Sequence, residues 1–449
     1  MFDSPAAAAS PPACPELGGA GISRAVPAIM TKTHPYLVLA FLTALNLFNY
    51  LDRFVLPSVV PPLKAELHLS DGQIGWLTSA FMIGYFATAP AFGYLGDRRP
   101  RKGLIASGVF AWSVGTVLSA FCHQYWTLLG CRVLVGFGEA SYAVLAPAWL
   151  ADLFPAARRN NALTIFYLAT PLGSALGYIV GGLAVAHGGW REGFLWAGAP
   201  GLLLALGLLS LNEPVRGAPE EPAGGTSATF SLKPGLGGAA SLFRIYDFNL
   251  IILGLTAYTF AMGAFAAWAP TFLNRVHGLE LGAADQFFGG ALVICGLLGS
   301  AIGGFGATAW RRKTRSGYAL MLTLSACTAF LASTVAVMSP GRSVSMAFMG
   351  IAIFLAFLPT GPVNTLLVES VPVALRARAM AASLFVIHLF GDFWSPVLVG
   401  GLADWGDRPG TPGAGLQNAM LILPAALGIA GLFWGWLAWR QHTREELSR

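Results

Sequence analysis

Asp152-Leu-Phe-Pro155-Ala-Ala-Arg158-Arg159 closes one long apolar run, and Glu369-Ser-Val-Pro372-Val-Ala-Leu-Arg376 closes another. In both, an acid stands three residues before a proline and an arginine stands four residues after it. The two acids are 217 residues apart. The basic loops at Arg98 and Arg311 repeat with a similar offset, 213 residues. The same punctuation at the same long period marks a duplicated unit in the chain.

The runs inside each unit are apolar enough for lipid. Hydrophobic residues make up 55 % of the 449 residues and charged residues only 11 %. A soluble domain carries roughly a quarter charged residues, so a soluble fold and a disordered chain are both excluded. Mean hydropathy is +0.63. A membrane-spanning helix needs about 20 apolar residues, and twelve of them use about 240. The pattern predicts helices near 36–60, 73–95, 103–122, 125–150, 161–187, 191–211, 247–273, 285–309, 316–338, 343–368, 379–403 and 414–439. The expected fold is an all-α membrane protein with two pseudo-symmetric six-helix bundles. Residues 35–212 form the first and 247–440 the second. A Pro/Gly/Glu/Ser-rich linker at 213–246 joins them, between a disordered cytoplasmic tail at 1–34 and a short one at 441–449. The small-residue N-terminus lacks the charged start and short apolar core of a signal peptide.

Orientation follows from the basic residues. Twenty of the 27 Lys and Arg fall on the side of the N-terminus. Five (Lys64, Arg191, Arg275, Arg342 and Arg408) fall on the other side, and Arg53 and Arg132 lie within runs. The bias predicts a multi-pass protein, expected in a bacterial inner membrane, with both termini cytoplasmic. It also accounts for the net charge of +6 through the anionic inner leaflet, without nucleic acid. The five cysteines are scattered, show no metal spacing and read as small apolar residues.

Gly93-Tyr-Leu-Gly-Asp97-Arg98-Arg99-Pro100-Arg101-Lys102 joins the second and third runs. It resembles the loop signature of major facilitator transporters, G-x-L-x-D-R-x-G-R-[KR], with Pro100 at the usual second glycine. Two parallel six-helix halves are likewise that superfamily's architecture. An acid at a helix end can accept from an arginine and from a neighbouring helix N-terminus. Gly93, Asp97, Arg98 and Arg101, with Asp152 and Arg159 at the exit of the fourth run, are therefore expected to form a cytoplasmic latch. The second-half loop lacks the acid, so the latch is expected to be asymmetric. In the fifth run, Gly173, Gly177 and Gly181 are spaced four apart, which suits close helix packing. The same string partly resembles a motif of exporting antiporters.

Charges within the runs are few. Asp52 and Arg53 lie in the first, near Asn49 and Tyr50; Arg132 and Glu139 lie in the fourth. Residues 132, 136 and 139 share a helix face, as do 49 and 53. If the two faces meet, two acids and two bases form one cluster. It is either a permanent structural pairing or a coupling site. Intramembrane charge favours the second, because apolar replacements would carry no desolvation penalty. There, protonation of an acid would break a pair and free an arginine for an anionic head group.

Asn49-Tyr50-x-Asp52-Arg53, the Gly93–Lys102 loop, Arg132-x-x-x-Gly136-x-Gly138-Glu139-Ala140-Ser141-Tyr142 and Ala146-Pro147-x-x-x-Asp152 resemble the spinster family of major facilitators. His388-Leu-Phe-Gly391-Asp392-Phe-Trp-Ser395-Pro396 resembles it as well. The match is dense over 46–182 and returns near 388–401. The resemblance implies transport of amphipathic lipids such as lysophospholipids and sphingosine-1-phosphate. It further implies proton sensing by Asp52 and Glu139 and head-group contact by Arg53 and Arg132, with Asn49 and Tyr50 beside them.

In the second half, Tyr258, Trp268, Asn364, His388 and Asp392 are candidate cavity-lining residues. His388 and Asp392 share a face, as a titrating pair or as a packing hydrogen bond. The expected function is proton-coupled transport of an amphipathic anionic lipid by alternating access, with protons as coupling ion, no other cofactor and no metal. The expected partners are a small amphipathic substrate and membrane lipids, and the expected unit is a monomer. A major facilitator drug or organic-anion exporter is the alternative. An enzyme is not expected, because no nucleophile or metal cluster is legible. A primary pump would need a phosphate-binding Gly-Lys-Ser/Thr loop, and the chain has none.

Overall fold

Inside lipid no water satisfies the backbone, so long apolar runs must close their hydrogen bonds as helices. The computed structural model describes residues 34–213, 242–372, 375–407 and 413–447. The expected tail up to residue 33, linker residues 214–241 and tail residues 448–449 lie outside them. So do the basic residues Arg24, Lys32, Arg216, Lys233, Arg408 and Arg449.

The first half holds α1 (Pro35–Ser58), α2 (Val60–Leu67), α3 (Asp71–Arg98), α4 (Arg101–Ser119), α5 (Tyr125–Leu153), α6 (Ala156–His187) and α7 (Trp190–Leu209). The second holds α8 (Tyr246–His277), α9 (Leu281–Arg311), α10 (Gly317–Met338), α11 (Arg342–Phe357), α12 (Thr360–Glu369) and α13 (Arg376–Ile387). It ends with α14 (Ser395–Gly406), α15 (Ala414–Met420) and α16 (Ile422–Glu446). Eleven helical stretches among the described residues are long and apolar enough to cross a membrane. The twelfth span is α3. Its 28 residues reach about 42 Å, but Gln73, Thr78, Ser79 and Thr88 dilute its apolar character. The result is an all-α protein of twelve spans in two six-helix bundles.

Several expected runs are broken. The first ends at Ser58, after Pro57, and α2 starts separately around Pro61 and Pro62. Pro359 divides α11 from α12. Proline removes a backbone donor and clashes with the preceding turn. The eleventh span contains a π-helical turn, His388–Asp392, between α13 and α14.

The halves meet chiefly through α6 with α9 and through α3 with α14. Those contacts lie at the end remote from the basic loops. An added Cβ on Gly289 would sit 2.9 Å from the Ala175 carbonyl oxygen, and one on Gly400 would sit 2.2 Å from that of Asp71. Within the first half, Gly173, Gly177 and Gly181 lie against Leu47, Leu51 and Ser58 of α1. Close packing therefore accounts for that four-residue spacing.

Candidate functional site

Asn46, Asn49, Tyr50 and Arg53 stand at i, i+3, i+4 and i+7, one face of α1, and this face lines a cavity of about 620 Å³. Phe81, Tyr85, Phe86 and Pro90 of α3 line it, together with Tyr142 and Pro147 of α5. The second half contributes Ala381, Leu384, Phe385 and His388, again at i, i+3, i+4 and i+7. One end of the cavity is polar, around Asn46, Asn49 and Arg53. The remaining wall is mostly apolar.

The faces of α1 and α5 do meet, and the pairing is crossed. Arg53 Nη2 donates to Glu139 Oε2 at 2.5 Å, and Arg132 Nη1 faces Asp52 Oδ1 at 3.8 Å. The second distance is an ion pair without a hydrogen bond. Thr116 of α4, a residue that sequence reasoning missed, donates its hydroxyl to Asp52 Oδ2. Exposure separates the four: Asp52, Arg132 and Glu139 are each 1 % exposed, and Arg53 is 22 % exposed. Arg53 alone of the four lines the cavity. Arg132, expected at the head group, instead sits behind Phe81. The Phe81 ring centroid is 4.5 Å from the Arg53 guanidinium and 6.0 Å from that of Arg132. Gly136 makes this possible, since a Cβ there would fall 1.6 Å from the Phe81 carbonyl oxygen.

Of the second-half candidates, only His388 lines the cavity. Tyr258 packs on Trp434 and donates its hydroxyl to Ala356 O. Trp268 is buried and donates to Pro396 O at 3.1 Å. Asn364 donates to Thr360 O on its own helix at 2.8 Å. Asp392 lies behind His388, with both carboxyl oxygens 3.0 Å from Nδ1, its backbone close against Gly263 of α8. These four were expected on the cavity because they are polar or aromatic in apolar runs. The rotation of their helices turns them into the bundle or away from the cavity.

Residues 42–396 match the Major Facilitator Superfamily. The sphingosine-1-phosphate transporter SPNS2 of Danio rerio is 32 % identical over 435 residues, covering 90 % of this chain and 84 % of that protein. Protein spinster homolog 1 of Xenopus laevis is 35 % identical over 389 residues, covering 82 % of this chain and 73 % of that protein. The chain belongs to the spinster family of the major facilitator superfamily. A crystal structure of a bacterial homologue of the human lysosomal transporter Spinster, inward-facing and unoccupied, superposes with a TM-score of 0.81. It is 24 % identical, with 92 % of this chain and 98 % of that one covered, and it shows the shared fold.

In this spinster-family chain the signature loop makes its ion pair within the first half. Arg101 Nη1 donates to Asp152 Oδ2 at 2.5 Å and to Ala148 O at 3.0 Å. Glu213, missed in the sequence, accepts from the backbone N–H of Arg101 and of Lys102 at 2.8 and 3.1 Å, as an acid favours at a helix N-terminus. Arg98 stacks on Tyr94 at 3.7 Å, and Asp97 is exposed in the last turn of α3. Arg159 stands near the start of α6, with Nε unpartnered among the described residues. The glycine under steric demand is Gly96, where a Cβ would lie 2.2 Å from Leu145. Gly93 has ordinary clearance, 4.0 Å from Val144. In the second half Arg311 pairs with Glu369 at 3.4 Å. The repeated acids thus hold equivalent basic hairpins.

The remote end carries a different set. Asp71, fully buried, binds both terminal nitrogens of Arg275 at 2.8 Å and Lys64 at 2.6 Å. Asp404 accepts from the N–H groups of Asp71 and Gly72 at 2.7 Å. No sequence signal pointed to these contacts: those of Asp71 with Arg275 and of Asp404 with Asp71 and Gly72 join the two halves, and that of Lys64 joins α2 to α3.

Proposed function

We propose that this protein is a proton-coupled secondary transporter of an amphipathic anionic lipid, of the lysophospholipid or sphingosine-1-phosphate kind. The observation that carries the reading is the position of Arg53, which touches both the cavity and buried Glu139. The names borne by its relatives support the lipid class. In this reading transport makes no covalent bond and needs no cofactor beyond the proton, and one chain carries the whole path. The basic end and both termini face the cytoplasm of a bacterial inner membrane. The cavity, closed at the remote end by α3 with α14 and α6 with α9, then belongs to an inward-open state.

The coupling runs through Arg53. While Glu139 is ionised it holds the guanidinium by a charge-assisted hydrogen bond, worth about 1.5–3 kcal/mol. When Glu139 takes a proton, Arg53 turns to an anionic head group beside Asn49 and Tyr50. Asp52, facing Arg132 and held by Thr116, is the second proton acceptor. The lipid tail lies against Phe86, Pro90, Leu384 and Phe385. Two ligands that each change the worth of one pair can bias two states differently. Asp97, Arg98, Arg101, Asp152 and Arg159 latch the cytoplasmic side in the opposite state.

Uptake of a labelled lysophospholipid into proteoliposomes, with and without a pH gradient, tests the reading. Gradient-driven uptake that unlabelled lysolipid competes away is expected. Transport of organic anions that ignores lysolipid would favour the exporter alternative, and gradient-independent uptake would remove the proton.

A further inference from the structure

Asp285 is the fifth residue of α9 and is fully buried, yet neither carboxyl oxygen has a hydrogen-bond partner among the described residues. It lies on the face of α9 that meets α6. Gly282 and Gly289, at i−3 and i+4 from it, are on the same face. The α6 backbone is close to both: Gly182 O is 3.8 Å from a Cβ built on Gly282, and Ala175 O is 2.9 Å from one built on Gly289. A Cβ on Gly182 would lie 2.9 Å from Asp285 Oδ2. The carboxyl group is therefore wedged between the two halves where they come closest.

Among the described residues nothing charged compensates it. From α6, the titratable neighbour is Tyr178, whose hydroxyl is committed to Ala266 O at 2.5 Å, and His187 is exposed near the helix end. From α8, Arg275 is committed to Asp71, and His277 packs its ring edge-on to Phe272. Glu280, just before α9, is exposed. The charged residues of α11 and α12, Arg342 and Glu369, stand at their ends, and α10 carries none. An ionised carboxylate in such a place has no source of stabilisation, and such groups neutralise instead.

We propose that Asp285 is a proton-binding site on the gate remote from the basic loops, protonated while α6 and α9 are closed together and ionised and hydrated when they part. The proposal rests on the alternating-access reading above, but not on which acid carries the transported proton. Its sign is definite. The closed form binds one proton more, so rising pH opens the gate, by up to tenfold in the open-to-shut ratio per pH unit. The Asp71 cluster predicts the reverse, because protonating Asp71 would release Arg275 and Lys64.

The experiment uses the full chain in lipid nanodiscs, its native cysteines replaced and spin labels placed at His187 and Glu280. Inter-label distances are read from mildly acidic to mildly alkaline pH. The wild-type background should show an open fraction that grows with pH. Asp285→Asn should remain shut with the slope lost, and Asp285→Ser, neutral and smaller, gives the same readout should the amide not be accommodated. In a Glu139→Gln background, Asp285→Asn should still remove the pH slope that remains. A wild-type slope retained in both Asp285 variants, or a fraction that falls with pH in the parent, overturns the proposal. Should uptake prove independent of the proton gradient while the slope still depends on Asp285, the coupling reading fails and this one stands.

Discussion

Arg53 Nη2 lies 2.5 Å from Glu139 Oε2, and only the arginine of this pair reaches the cavity. Because the acid is 1 % exposed and the base 22 %, any anion in the cavity meets the guanidinium first and the carboxylate only through it. Glu139→Gln should flatten the pH response of uptake at least tenfold while lysolipid binding persists. Arg53→Ala should weaken binding about tenfold, near 1.4 kcal/mol. Parallel binding and uptake assays check both. Equal loss of binding in the two variants would contradict the division of roles.

Asp52 and Arg132 are both enclosed, so removing one strands the other. Asp52→Leu should cost about 3–5 kcal/mol, read as a lowered melting temperature in detergent. Adding Arg132→Met should restore most of that stability without restoring transport. Thr116→Val, which leaves an acceptor unmet, should cost about 1–3 kcal/mol. A double variant that transports normally would show the pair to be structural.

Arg101 ties α4 to α5 through Asp152, and Asp97 lies in the last turn of α3. Asp97→Ala should increase the population open toward the basic end. A cysteine at Leu384, on the cavity wall, should then react faster with a membrane-impermeant thiol reagent added from that side. Slower or unchanged labelling would count against the latch.

Glu66 gives a pH prediction at the remote surface. Hydrogen bonds from Arg191 and from Trp190 Nε1, the latter at 2.7 Å, hold its carboxyl below the usual carboxylate range. With the folded value below the unfolded one, its contribution is present above the ordinary glutamate range and is lost as pH falls through the lowered value. Glu66→Gln should therefore lower the melting temperature at neutral pH, and the gap to wild type should close on acidification. A gap independent of pH would mean that the carboxylate charge contributes nothing.

Much of the fold was legible because it is local. A run of apolar residues must be a helix in lipid wherever it packs, and a repeated Asp/Glu–Pro–Arg exit marks a repeated unit before any contact is known. The charge cluster was legible for the same reason, since 49 and 53, and 132 and 139, share faces by helical period alone. Who pairs with whom was not legible. Asp52 could have met either arginine. The outcome follows from how closely α3, α4 and α5 approach, which Gly136 against Phe81 and Thr116 against Asp52 decide. The second-half cavity face was missed because the apolar residues Ala381, Leu384 and Phe385 outnumber the polar one, His388, and nothing in their chemistry separates them from lipid-facing residues.

By itself the sequence determined how many helices cross the membrane and which few charges lie among them. Those properties depend on the periodicity of one chain in one solvent. Only the tertiary structure decided that Arg53 faces the cavity and Arg132 does not, that Trp268 is packed inside, and that Asp285 is sealed between the halves. Each of those depends on the rotation and approach of helices distant in sequence, where a single missing Cβ sets which side chains can meet.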